Sequence, residues 1–333
     1  MELIEILEAL NQTHGPSGDE GGVREKIEEL ARPFADEIVT DTLGNLIVHK
    51  KGAGPKVMFA AHMDSIGFIV THIEKEGFLR VGRLGGISPK EAAYAPVRFK
   101  NGVQGVFVPE EKADFGKLKL DECFIDIGAA GEAEAKTLVQ VGDTCVYDGP
   151  VRVRGSRVTA PYLDDRLACA VLLCALEQIK EPAYNLSLVF TVQEEVGLRG
   201  ARTAAWWVEP DVGIAVDVTD VDDTPGSEKG GTTRLGGGAA IKVMDSSVIC
   251  HPEVVARLEE LAKAEQIPAQ RDIMRAGGTD AGAIQNAHYG VKTGGISIPC
   301  RYVHTPAETA DLEDARACIR LAAALIQAEA PCP

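Results

Sequence analysis

The sequence predicts an α/β fold, a mixed sheet flanked by helices, into which a small β-rich domain is inserted. Three observations predict it. After Asp164 helical and extended patterns alternate, as they do in a sheet with helix crossovers. Between about Gly67 and Arg157, short strands punctuated by glycine and proline replace any long helical period. A length of 333 residues, at about 150 per domain, leaves room for two domains. Residues 1–66 and 158–333 are assigned to one domain and 67–157 to the insert.

Each element has a local reason. Leu3, Ile4, Ile6, Leu7 and Leu10 recur at helical spacing, so the chain opens on an amphipathic helix that breaks at THGPSG. Ser17 followed by Glu20 reads as a capping box that starts a second helix through VREKIEELARPF, ended by Pro33. EIVT, NLIVHK and KVMFAAH are strands, and the last runs into His62, Met63 and Asp64. In the insert, GFIVTHI, GFLRVGRLGG, APVRFKNG, VQGVFVPE, CFIDIG and DTCVYDGPVRV read as strands. Beyond it come a helix through RLACAVLLCALEQI, a strand NLSLVFTVQ, a helix around ARTAAWWV and a strand GIAVDV. PEVVARLEELAKAEQI is a further helix, VKTGGISIP a strand and EDARACIRLAAALIQAEA the closing helix. KGGTTRLGGGAA lacks both the Walker lysine pattern and a strand–GxGxxG–helix context, and so reads as a loop.

Composition narrows the function. With 45% hydrophobic and 25% charged residues the chain matches folded globular proteins. Its 34 basic and 50 acidic side chains give a net charge of −16, a surface that repels phosphate backbones and anionic lipids; nucleic acid and membranes are therefore not expected partners, despite Arg152, Arg154 and Arg157. The longest strongly apolar run, Leu167 to Leu176, is about half of the ~20 residues a spanning helix needs. The N-terminus has no basic region followed by an unbroken apolar one, so the expected location is the cytoplasm. Cysteines at 123, 145, 169, 174, 250, 300, 318 and 332 form no CxxC pair and read as reduced, packed thiols.

The chemistry lies at strand ends, where open α/β sheets bind ligands. His62 and Asp64 end one strand, Asp164 and Asp165 precede a helix, Glu194 and Glu195 end another strand, Asp217 ends GIAVD, and His304 follows ISIPCRYV. So many acids on one edge repel each other unless a cation neutralises them, and two histidines with several carboxylates suit Zn²⁺, Co²⁺ or Mn²⁺. Adjacent residues on a strand point to opposite faces, so Glu194 and Glu195 divide the work: one binds a metal, the other serves a metal-bound water as general base. In the His62-x-Asp64 pair the carboxylate is placed to accept a hydrogen bond from the second ring nitrogen and fix the tautomer.

The stretches GPSGDE, AHMDSIGFIV, APYLDDRLACAVL, TVQEEVGLRGA, AVDVTDVDDTPG, IPAQ, GGTDAGAI and GISIPCRYVHTPAE resemble, in order over nearly the whole chain, metallopeptidase family forty-two, the glutamyl, deblocking and tetrahedral aminopeptidases. The resemblance implies a zinc-peptidase-like catalytic domain and a PDZ-like dimerisation insert. It implies two divalent metal ions per subunit, zinc with cobalt or manganese as alternatives, with His62 and Asp217 at one ion, Glu195 and His304 at the other, and Asp164 bridging both. Glu194 is then the general base and Asp64 a supporting residue, in an aminopeptidase that cleaves N-terminal residues from short unblocked peptides through a metal-bridged water. The assembly implied is a hollow homododecamer built from dimers. Ser65 departs from the family, which often has Glu after HMD, and Val303 stands where a larger apolar residue is common.

Other features stay open. Asp280 in GGTDAGAI is either a contact for the peptide amine or a helix cap. Arg301 and Tyr302 line a pocket or pack at a strand end; Trp206 and Trp207 read as core or subunit contact. His14, His49, His72, His251 and His288 have no acidic partner at ligand spacing. Rival functions are a dinuclear carboxypeptidase or deacylase, a two-carboxylate glycoside hydrolase and a non-catalytic scaffold.

Overall fold

The computed structural model describes residues 1–179, 181–227 and 231–328. Helix α1 (Leu3–Gln12) buries Leu3, Ile6, Leu7 and Leu10, and α2 (Gly21–Ala31) buries Val23, Ile27 and Ala31, in each case one stripe at helical spacing. Strands β1 (Glu37–Thr40), β2 (Leu46–Lys50) and β3 (Lys56–His62) follow. Next come β4 (Gly67–Ile73), β5 (Leu79–Leu84), α3 (Pro89–Ala92), β6 (Pro96–Phe99), β7 (Gln104–Pro109), β8 (Cys123–Asp126), α4 (Glu132–Leu138) and β9 (Thr144–Tyr147). The chain then forms β10 (Arg152–Arg154), β11 (Arg157–Ala160), α5 (Leu163–Gln178), β12 (Asn185–Thr191), α6 (Arg199–Val208), β13 (Val212–Asp220) and β14 (Ala239–Met244). It ends with α7 (Pro252–Ala264), β15 (Ala269–Ile273), α8 (Asp280–Gln285), β16 (Lys292–Arg301), β17 (Glu308–Asp311) and α9 (Leu312–Gln327).

The architecture is mixed α/β. One large sheet runs β1-β2-β12-β3-β13-β16-β17-β11-β10, with β14 joined to β16 and β15 to β14. Its centre is parallel: β12 and β13 flank β3, and β16 lies beyond β13. Alternation along β3 serves two cores. Val57, Phe59 and Ala61 face the layer containing α1, α5 and α9, whereas Met58 and Ala60 face α6 and α8 through Ala201, Ala204, Ala205 and Ile284. Helix α5 is buried along its length from Leu163 to Leu176, because α1 and α9 cover it and β3 and β13 lie beneath.

Strands β4, β5, β8, β7, β6 and β9 close into a small barrel around Phe68, Phe99, Phe107 and Tyr147, with Phe68 stacked on Phe107 at 4.9 Å between ring centroids. Closure removes the exposed edges that six short strands would otherwise present. Strand β10 adds to the rim of the large sheet through β11 rather than to this barrel.

Several local expectations change. The Ser17–Glu20 pair is no capping box: Glu20 precedes Gly21 as the cap residue, and neither side chain caps α2, because both are drawn to partners elsewhere. Asp217 lies inside β13, which runs on to Asp220. Glu194 and Glu195 lie beyond the end of β12, in a turn. Trp206 and Trp207 are not core residues, being 54% and 51% exposed. Short helices α3 and α4 occur within the insert, where strands alone were expected. Strands β11, β14, β15 and β17 and helix α8 carried no strong period; most are too short to show one. Glu329 and Ala330 of the expected closing helix, Lys229 and Gly230 of the glycine-rich loop, and Cys332 lie outside the described residues; the other seven cysteines are free and buried. Among the described residues no helix is long and apolar enough to cross a membrane.

One buried ion pair stitches β14 to β15: Lys242 Nζ lies 2.6 Å from Asp272 Oδ2, with both side chains essentially inaccessible. Removing one partner strands the other charge in the interior. Asp272→Ala is therefore expected to lower unfolding stability by about 3–5 kcal/mol in urea titration, while Lys242→Met with Asp272→Leu recovers most of that loss. Equal destabilisation by the single and double changes would contradict this account.

Candidate active site

The sheet itself assembles the site. Pairing of β12 with β3 sets Thr191 opposite His62, and continuing the β3–β13 register by two residues sets Asp217 level with His62. The first turn of α5 delivers Asp164 and Asp165, joined by a cis peptide bond, and the turn after β16 delivers His304. Tyr162, Gln193, Tyr302 and His304 all have φ between 55° and 65°, a left-handed conformation costly for residues with a Cβ. These four flank or belong to the three segments that turn acids and histidine inward.

His62 Nε2 lies 2.9 Å from Asp164 Oδ1 and 3.9 Å from both Asp217 Oδ1 and Glu194 Oε2. His304 Nε2 lies 3.2 Å from Asp164 Oδ2 and 3.1 Å from Glu195 Oε2. Each Asp164 oxygen thus faces a different histidine. Ligand atoms of His62, Asp164, Asp165 and Asp217 form one group within 4.8 Å, and those of Asp164, Glu195 and His304 form a second.

Both imidazoles present the same nitrogen. His62 Nδ1 donates to the backbone carbonyl of Asp64 at 3.1 Å, and His304 Nδ1 donates to that of Gly86 at 3.1 Å, leaving each Nε2 free as a ligand. Sequence reasoning gave the first of these bonds to the Asp64 carboxylate; the main chain takes it, and the carboxylate Oδ1 stands off at 3.4 Å. Donors about 2.0–2.1 Å from a tetrahedral ion lie roughly 3.3 Å apart, close to the spacings around Asp164 and His304. Glu195 Oε1 is buried without a hydrogen-bond partner, which also fits a cation site.

The electrostatics call for added positive charge. Burial pushes the pKa of Glu194, Asp217 and Glu195 up, Asp217 and Glu194 well above the ordinary carboxylate range, with neighbouring acids adding to the effect. Asp164 resists: burial opposes its ionisation, but His304 and His62 hold it below that range. Burial also works against charged imidazoles, yet the surrounding carboxylates raise His62 well above its usual value and push His304 up to about 12. Apart from Asp164, the raised pKa values are the response of the protein to excess negative charge, which a divalent cation would neutralise.

Carboxylates outside the expected set hold the backbone. Glu308 accepts from the amides of Asp164 and His304, each at 2.9 Å, and Asp165 accepts from that of His62 at 3.1 Å. Glu308, buried in the structure, went unassigned; its sequence signal was no more than an acid four residues after His304. Gly86 was also missed: a Cβ there would lie 2.8 Å from His304 Nδ1, so a barrel loop reaches the site. Asp280 opens α8 and is bonded to Thr191 Oγ1 at 2.5 Å; burial raises its pKa to about 6. Arg301 pairs with Asp223 at 2.5 Å, and Tyr302 is exposed. His14 contacts Thr144 Oγ1 at 2.8 Å and Asp19 at 3.3 Å, an acidic partner not anticipated. A cavity of about 480 Å³ opens over His62, Asp164, Glu194, Glu195, Asp217 and His304.

An edge of parallel strands that converges histidines and carboxylates on such a cavity defines the class of metal-binding hydrolases. The chain belongs, more particularly, to the M42 glutamyl aminopeptidase family, whose model matches residues 44–321. It is thus an aminopeptidase, a hydrolase of peptide bonds. It is 38% identical over 337 residues to the lysyl aminopeptidase of Pyrococcus furiosus, covering 97% of this chain and 96% of that one. Among solved structures, an aminopeptidase from the archaeon Desulfurococcus kamchatkensis superposes with a TM-score of 0.95 at 39% identity, covering 99% and 95% of the two chains. The TET1 peptidase of Pyrococcus horikoshii, which can assemble into a tetrahedron or a large octahedral shell, gives 0.88 at 32% identity over 98% and 99%.

Glu308→Gln replaces one of two acceptor oxygens with an amide nitrogen that cannot receive an N–H. Divalent-cation affinity, read by titration calorimetry, is expected to fall about 10–100-fold with the fold retained. Unchanged affinity would show that Glu308 does not hold these ligands in place.

Proposed function

We propose that this chain is a dinuclear metallo-aminopeptidase that removes N-terminal residues from short unblocked peptides. The observation that carries this reading is Asp164, whose two oxygens face His62 and His304 separately, the disposition of a carboxylate shared by two cations. His62 and Asp217 would hold one ion, Glu195 and His304 the other, with zinc, cobalt or manganese suited to this donor set. Such ions, when bound, supply Lewis acidity toward a carbonyl and lower the pKa of water.

Glu194 is the general base. Its carboxylate lines the cavity beside His62 but lies 3.9 Å from Nε2, and burial raises its pKa, which makes it a stronger proton acceptor. It takes a proton from the attacking water and delivers it to the departing amine. Beyond the ligands the cavity is walled by Leu198, Val218, Thr219, Met274 and Val303, with Asp220 at its rim. No lysine or arginine occurs among its described lining residues, so a neutral or cationic first side chain is accepted over an anionic one.

The expected insert, residues 67–157, is read as the module that pairs subunits, and the working form as a homododecamer of dimers. The shell-forming relative, matched over 98% of this chain, supports assembly, and the exposed aromatics Trp206, Trp207 and Tyr289 offer further contact surface on the catalytic domain. The free buried thiols suit a cytoplasmic location.

The test is release of the first residue from peptides with free and acetylated N-termini, with Zn²⁺ or Co²⁺ and after chelation. Cleavage of free peptides alone, abolished by chelation and by Glu194→Gln with metal uptake retained, is expected. Cleavage of acetylated copies would instead favour a deacylase, and peptide cleavage surviving chelation would refute the metal-dependent mechanism. Within the free peptides, N-terminal Lys or Leu is expected to exceed Glu in kcat/KM by roughly tenfold or more; a preference for Glu would refute the argument from the missing cationic lining residues.

A further inference from the structure

We propose that Ser17 and Glu20, in the loop between α1 and α2, are positioning residues for Glu194 and Glu195. This rests on reading Glu194 as the base and Glu195 as a ligand. After β12 ends at Thr191 the chain must set two adjacent glutamates toward one cluster, although neighbouring side chains in an extended chain diverge. It turns at Gln193, whose φ is 55°, and the next amides need acceptors.

Three consecutive N–H groups find them on two buried carboxylates. Gln193 donates to Glu20 Oε1 at 3.2 Å, Glu194 to Asp64 Oδ1 at 3.0 Å and Glu195 to Asp64 Oδ2 at 3.3 Å. The acceptors are held in turn. Ser17 Oγ donates to Asp64 Oδ2 at 2.6 Å, and the Gly18 amide donates to Glu20 Oε1 at 2.7 Å. Ser17, Glu20 and Asp64 are 5%, 6% and 0% exposed, so water does not substitute for them.

The loop that presents Ser17 and Glu20 is itself anchored. The Ser17 amide donates to the Ser65 carbonyl at 3.1 Å, and the Ser65 amide to the Gly15 carbonyl at 3.2 Å. Arg166, buried in the first turn of α5, grips the Leu10 and Gly15 carbonyls, each at 2.9 Å. A Cβ on Gly15 would fall 2.5 Å from Val23, which fixes the loop against α2. The S-x-x-E motif that suggested a helix cap thus serves the active site instead. Neither residue touches the cavity, so each acts on turnover through backbone amides.

Because catalysis is sensitive to sub-ångström placement of the base, loosening this clamp lowers kcat more than it raises KM. Ser17→Ala in the metal-loaded enzyme is expected to lower kcat about 10–100-fold with KM changed by no more than about threefold. At saturating cation both metal positions should stay filled, and amide exchange at residues 193–195 should quicken without a matching change elsewhere. Ser17→Thr, which keeps the hydroxyl, restores both readouts. Glu20→Gln, which keeps an acceptor for the Gln193 amide, stays within about threefold of the parent kcat, whereas Glu20→Ala does not. Parent-like kcat and exchange in Ser17→Ala would overturn the proposal, as would loss of activity with no local change in exchange. Glu194→Gln serves as the control: if it keeps turnover, the assignment of the base fails independently of the exchange result at 193–195.

Discussion

The crowding of acids at one sheet edge is the constraint on which the rest of this structure depends. Asp164, Glu194, Glu195 and Asp217 are gathered around two histidines at the wall of the cavity, each carboxylate with 10% or less of its side chain exposed. Like charges at these distances repel strongly in a low-dielectric interior. Without a cation, burial and mutual repulsion push the pKa of Glu194, Asp217 and Glu195 up, while the surrounding carboxylates raise those of both imidazoles. Only Asp164, flanked by a histidine on each oxygen, is stabilised as an anion by the protein alone. That asymmetry marks it as the centre of the arrangement, and a pair of cations would complete on the other members what the histidines do for Asp164.

Holding such a cluster open also takes a scaffold that cannot relax away from it. The scaffold here is largely carboxylate to backbone amide. Asp64, Asp165, Glu308 and Glu20 are all buried, and each accepts from the main chain of a cluster residue or of its immediate neighbour. Carboxylates are well suited to this, since each oxygen accepts more than one donor and a charge-assisted bond exceeds a neutral one. Burial and neighbouring carboxylates push the pKa of Asp165, Glu308 and Glu20 up as well, so the residues that order the site share its demand for cations.

Much of this was legible in the sequence, for reasons that differ by residue. The strand before His62, the helix after Asp165 and the β16 strand are sustained apolar runs, so their ends could be located and the polar residues beyond them collected. Asp217 was found although its strand runs three residues further, because an acid in an apolar run is conspicuous wherever the strand stops. What sequence could not supply was direction. Ser17 and Glu20 satisfy a local helix-start pattern, and nothing nearby reveals that Asp64 and Gln193, far away along the chain, compete for them more strongly. The Asp64 carboxylate was likewise given the His62 ring nitrogen that its own main-chain carbonyl receives. Glu308 lies on a four-residue strand too short to show a period, and its partners are the amides of Asp164 and His304.

The barrel is the least legible contributor, since its strands announce a separate folding unit with its own aromatic core and nothing in them points to chemistry. Yet its β5–α3 loop presses on the site at two adjacent glycines. Gly85, at a φ of 82°, leaves only the space of a hydrogen against Glu195, and Gly86 accepts the His304 Nδ1 proton while its missing Cβ makes room for the ring. His304 is the more exposed of the two histidines, 33% against 2% for His62, and its turn after β16 is not a ladder-bonded strand. It therefore depends on this outside contact for its tautomer and orientation in a way that His62, fixed at the end of β3, does not. If the barrel also pairs subunits, the geometry around Glu195 and His304 becomes sensitive to assembly while that around His62 and Asp217 stays a property of the sheet alone. The two halves of the cluster would then differ in how firmly each is built before any partner subunit arrives.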